Sequence, residues 1–135
     1  MKYIFIPFFF SILTTTFSQN SQIGITREQV IKSMNVEPCK TSYNELWFCG
    51  QNGFMVNYGF DGGIVKSIMS MTEFESKYLV DIDIKNKINE FTNQYGKPTI
   101  NDEKAFWFVG NELNSLFYGY SNNKHYSCFG ITKWK

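Results

Sequence analysis

The chain has 135 residues, which fits one domain, and carries 13 Lys or Arg against 12 Asp or Glu. That near balance, without a clustered basic face, argues against nucleic-acid binding and against a polybasic membrane tether. The 14 Phe, 8 Tyr and 3 Trp favour strands and exceed what one small core readily absorbs.

Residues 1–18 read as a signal peptide. Lys2 is a short basic start, Tyr3 to Leu13 is apolar apart from Pro7 and Ser11, and Thr16-Phe17-Ser18 offers small residues to a peptidase. Cleavage is expected between Ser18 and Gln19. The run is too short for a span, which needs roughly 20 apolar residues, and no Cys stands at the cleavage site for a lipid anchor. The expected product is exported to the periplasm or medium, with residues 19–135 forming one domain and no membrane span.

After a polar lead-in, Thr26-Arg27-Glu28-Gln29 predicts a capping box. Val30, Ile31 and Met34 continue at helical spacing, and Asn35 and Pro38 stop the helix. Three strand-like runs follow: Leu46 to Cys49, Phe54 to Phe60 and Ile64 to Met71. The turns between them are Gly50-Gln51-Asn52-Gly53 and Asp61-Gly62-Gly63. Residues 72–83 form a connector, with Asp81 or Asp83 expected to cap a second helix. Ile84, Ile88, Phe91 and Tyr95 give that helix one apolar face, and Gly96 and Pro98 end it. Strands return over Ala105 to Val109, Leu116 to Tyr120 and His125 to Thr132, with turns at 111–115 and 121–124.

The second set echoes the first. Trp47-Phe48-Cys49-Gly50 reappears as Trp107-Phe108-Val109-Gly110, and an offset of 60 also matches Pro38, Tyr58-Gly59 and Ser67 with Pro98, Tyr118-Gly119 and Ser127. Two tandem helix-β-β-β repeats are expected, one at about 24–71 and the other at about 84–134. The fold class is α+β, with one antiparallel sheet and helices on one face.

Cys39 and Cys49 are both lost in the second repeat, as a bonded pair would be, and an exported chain favours the disulfide. Cys128 reads as an apolar strand residue. The Cys spacings lack a C-x-x-C cluster, so no metal site is expected. His125 has no nucleophile motif around it, Asp61-Gly62-Gly63 lacks the other ligands of a calcium loop, and no phosphate loop is present. No cofactor and no catalytic residue is assigned. An enzyme using dispersed acidic residues is the least favoured reading.

Alternation places Leu46/Phe106 and Phe48/Phe108 on one face of the first strands and Trp47/Trp107 on the other. Val56/Leu116, Tyr58/Tyr118 and Phe60/Tyr120 share a face in the second strands. Val65, Met69 and Met71 share one in the third, with Phe129 and Ile131 their counterparts. Two helices can cover only one face. The candidate binding residues for a protein partner are therefore Trp47, Trp107, Tyr58, Tyr118, Tyr120 and Tyr126, because large aromatics dominate hot spots.

Gly24-Ile25-Thr26, Gln29-Val30 and Pro38 resemble the opening of the BamE (SmpA/OmlA) family, although Val36 replaces that family's Gly. The tandem helix-and-sheet pattern with an early disulfide, over residues 24–134, is similar to the β-lactamase inhibitor protein (BLIP) fold. That resemblance implies an aromatic sheet face that binds a protein. The sequence-level expectation is an exported, monomeric, non-catalytic binding protein, with BLIP-like inhibition of a partner enzyme as its sharpest form. The alternative is an envelope-assembly or structural accessory protein resembling BamE.

Overall fold

A computed structural model describes residues 22–134; the expected signal peptide and its cleavage site lie outside the described residues. Helix α1 (Arg27–Met34) precedes strands β1 (Lys40–Thr41), β2 (Glu45–Cys49), β3 (Met55–Asp61) and β4 (Ile64–Phe74). Helix α2 (Lys77–Tyr95) then precedes β5 (Thr99–Asn101), β6 (Lys104–Val109), β7 (Glu112–Ser121) and β8 (Lys124–Lys133). The fold is α+β. All eight strands form one antiparallel sheet in the order β1-β2-β3-β4-β8-β7-β6-β5. Among the described residues no helix is long and apolar enough to cross a membrane.

Local chemistry explains the helix ends. The Gln29 amide donates to Thr26 Oγ1, and the Thr26 amide donates to the Gln29 side chain. Both bonds of the capping box are present, and Asn35 closes α1 in the left-handed conformation. Thr26→Ala is expected to lower stability by about 1 kcal/mol, measured by urea unfolding. Helix α2 starts earlier than the sequence suggested. Ser76 caps it, accepting from the Leu79 amide, so Asp81 and Asp83 lie inside the helix and pair with Lys77 and Lys87 one turn away. Residues 72–83 are thus the end of β4, a short corner and the first turns of α2.

Both helices pack on the same sheet face. Val30 and Met34 of α1 join Leu46, Phe48, Phe54, Val56, Tyr58, Val65 and Ile68 in one cluster. Ile84, Ile88, Phe91 and Tyr95 of α2 cover Ala105, Trp107, Leu116, Phe129 and Ile131 in another. Ile68 stands directly opposite Ile131 in the β4–β8 ladder, so the two clusters share a face, and Ile23 touches both. The Cys39–Cys49 disulfide is formed and Cys128 is a buried free thiol.

Two register events change which residues share that face. Strands β2 and β3 are joined by residues 50–54, because Cys49 pairs with Met55. Strands β6 and β7 are joined by only Gly110 and Asn111, because Val109 pairs with Glu112. Trp47 therefore pairs with Asn57 and Trp107 with Asn114. The connections differ by three residues, an odd number, and an odd shift turns every side chain of a strand over. Trp107 faces the helices beside Ala105, whereas Trp47 points away from Leu46 and Phe48. The expectation that the two tryptophans share a face is overturned. The second event is a bulge opposite Gly59/Phe60, where Lys66 is left unpaired. It separates Val65 (helix side) from Met69 and Met71 (opposite side), which alternation alone had grouped. The turn expected at 111–115 is also shorter, since Glu112 to Ser115 already belong to β7.

Candidate interaction face

The sheet's second face carries no helix among the described residues. Strand alternation and the pairing registers define its rows. One row runs Lys40, Trp47, Asn57, Met69, Gly130, Ser115, Phe106 and Thr99. The next runs Cys49, Met55, Met71, Cys128 and Phe117, with Lys104 over the Phe117 ring at its end. On the other side of the first lies Glu45, Gly59, Ser67, Thr132, Leu113 and Phe108. Small residues thus floor the middle. Trp47 and three methionines border one side, and Phe106, Phe108 and Phe117 the other.

The side chains on this face are held from below and from the sides. The Trp47 indole N–H donates to Glu45 at 3.1 Å, and Trp47, Met55, Met69, Met71 and Phe117 are half-buried. Phe108 and Trp134 are 56% and 54% exposed, with ring centroids 5.0 Å apart. The Lys104 ammonium lies over the Phe117 ring at 5.2 Å, and Lys124 pairs with Glu73 at 3.0 Å. Asn57, 7% exposed, has an amide nitrogen with no hydrogen-bond partner.

Of the residues singled out in the sequence, only Trp47 and Tyr126 occupy this face, and Tyr126 is buried beside Glu73 and Gly119. Tyr58 is fully buried under α1, where its hydroxyl donates to Gln22. Trp107 is 3% exposed beneath α2; its indole N–H donates to the Gly96 carbonyl at 2.9 Å, and Phe91 meets it edge-on. Tyr118 and Tyr120 lie on the helix side around His125. The Tyr118 hydroxyl is 2.8 Å from His125 Nδ1, and the Tyr120 ring is 5.0 Å from the imidazole. Sequence reasoning missed Met55, Met69, Met71, Phe106, Phe108, Phe117 and Trp134 as members of the face.

A cavity of about 290 Å³ lies on the helix side, lined by Lys77, Asp81, Ile84, Lys85, Ile88, Glu103 and Tyr118. It gathers two carboxylates, but His125 stands behind Tyr118 and is not in its wall. Lys77 is engaged by Asp81 at 2.9 Å. Among the described residues no three His, Cys, Asp or Glu side chains group as a metal site.

Burial also sets an alkaline limit on the fold. It pushes the Cys128 thiol from 9.0 up to about 11 and raises Tyr58 further above its ordinary value. An acid with a raised folded pKa keeps its proton where the unfolded chain has lost it, so stability falls as pH rises from the unfolded value to the folded one. Stability is expected to decline between about pH 9 and 11, read by urea unfolding, and Cys128→Ala is expected to remove part of that decline.

Comparisons with protein-family models, curated proteins and solved structures find no match to this chain.

Proposed function

We propose that the chain is an exported, non-catalytic protein that binds a protein partner through the helix-free face of its sheet. The observation that carries this reading is the apolar composition of that face. Trp47, Met55, Met69, Met71, Phe106, Phe108, Phe117 and Trp134 share it, and both helices lie on the other side. Contiguous apolar surface of this kind marks interaction sites. Trp supplies hot-spot anchors, and Met supplies an adaptable surround.

The two halves are read as tandem repeats of helix and strands. The support is an element order given twice and a sheet order that mirrors about the β4–β8 ladder. A BLIP-like arrangement, with inhibition of a partner enzyme, is the sharpest form of the proposal, and fold alone does not fix it. The disulfide is the feature that accords with export.

The test is affinity capture from the source's cell envelope and medium with the wild-type chain, Trp47→Glu and the helix-side variant Tyr120→Glu. The reading predicts a captured protein that Trp47→Glu loses and Tyr120→Glu retains. Capture insensitive to Trp47→Glu but lost with Tyr120→Glu overturns it. Recovery of an outer-membrane assembly complex through the same face supports the BamE-like alternative.

A further inference from the structure

We propose that Met55, Met69 and Met71 form a site for a soft monovalent cation, Cu(I) or Ag(I), on the helix-free face. This inference stands apart from the protein-partner reading. In the β3–β4 ladder, Met55 pairs directly with Met71 and Asn57 pairs directly with Met69. Alternate residues of a strand share a face, so these four side chains fill adjacent corners of one block. The chain has five methionines. Apart from Met1, only Met34 lies elsewhere, on α1 and packed into the core.

The spacing suits convergence. Directly opposed positions have Cβ atoms about 5 Å apart and diagonal ones about 7–8 Å. Each thioether sits on a flexible, unbranched side chain, so three sulfurs can turn toward one point above the block. Thioethers are soft ligands that select Cu(I). The four positions hold no carboxylate or imidazole for Ca(II), Mg(II) or Zn(II). The free thiol opposite Met71, Cys128, is a further soft ligand and by itself is short of the three or four ligands of a zinc site.

Asn57 is the second observation. It is more than nine-tenths buried, and its amide nitrogen has no hydrogen-bond partner. A block built only for packing would be better served by an apolar residue there, because an unpaired buried donor is costly. Turning the amide would break no bond of that nitrogen and would offer its oxygen to a cation as a neutral fourth donor. Trp47 occupies the next position in the same row, and an indole face is the best aromatic partner for a cation.

The test uses silver nitrate, a redox-inert probe, titrated into the full chain in chloride-free buffer. Native mass spectrometry reads stoichiometry, and carbon-13-labelled methionine methyls report position. One silver ion per chain is expected, with shifts of the Met55, Met69 and Met71 methyls and none at Met34. Zinc is expected to shift none of them. The combined Met55→Leu, Met69→Leu and Met71→Leu variant keeps the apolar volume and is expected to lose silver uptake with its thermal melt retained. The proposal is overturned by any of three results: no one-to-one uptake by the wild-type chain, uptake that survives in the triple variant, or shifts confined to Met34. The wild-type methyl shifts decide the matter even if the triple variant does not fold. Silver uptake is expected to persist in Phe108→Glu, a change on the same face away from the methionine block, so that any loss of partner capture by that variant bears on the protein-binding reading alone.

Discussion

Trp107→Ala is expected to destabilise the fold by about 3–5 kcal/mol, the usual result of emptying a large aromatic site in a core. Trp47→Ala is expected to change stability by about 1 kcal/mol or less, nearer the range of surface substitutions. The two residues occupy matching places in a repeated motif, so sequence would assign them similar effects. Their surroundings do not. Trp107 packs against Phe91, its N–H is satisfied by the Gly96 carbonyl, and it is almost inaccessible. Removing it leaves a cavity beneath α2 and an unpaired carbonyl where that helix ends. Trp47 bonds to Glu45 on the helix-free face, and under the proposed function its loss is expected to fall on binding. Urea unfolding of both variants, with partner capture alongside, checks the pair. Equal destabilisation would contradict the assignment of faces.

Replacing Cys39 and Cys49 together by Ser is expected to lower stability by about 2.5–3 kcal/mol on the chain-entropy model for a loop this short. That is a fall in melting temperature of roughly 10 °C for a domain of this size. The bond fastens the segment after α1 to β2, where the Cys39 amide donates to the Trp47 carbonyl and Lys40 pairs with Trp47. Strand β1 has only two residues and little else to hold it. The double variant is therefore also expected to show faster amide exchange at Trp47 and along the outer edge of β2. Thermal melts with and without reductant, together with hydrogen exchange, measure both effects. An unchanged melting temperature would mean that the bond constrains little.

What could be read from sequence was the local grammar. The Thr26–Gln29 box, the Asn35 stop, the apolar face of α2 from Ile84 to Tyr95 and the Cys39–Cys49 pair all depend on residues close in sequence. So do the hairpin turns at Gly62-Gly63 and Asn122-Asn123, whose four central residues all have the positive φ that such turns require. Facing was not legible, because it depends on parity. A difference of three residues between two hairpin connections and one bulged residue at Lys66 each invert a strand segment, yet neither disturbs the apparent 60-residue alignment. The short edge strands β1 and β5 were missed because two or three exposed residues carry no periodic signal. Candidate-site residues suffered most: Tyr58 and Trp107 were chosen for their type, and the registers place both in the core.

The position of β8 bears on when the fold can form. It follows every other strand in sequence, yet it pairs on one side with β4 and on the other with β7. Until it arrives, β4 and β7 each present an open row of amides and carbonyls, and the sheet exists only as two separate fragments. Most of the long-range order must wait for one late insertion, the arrangement that makes folding slow and leaves strand edges exposed meanwhile. A chain whose last strand has yet to arrive could close its disulfide and form α1, but it could not knit the two fragments together. The protein would be most vulnerable to sticking to its own copies in that interval, through the edges that β8 later hides.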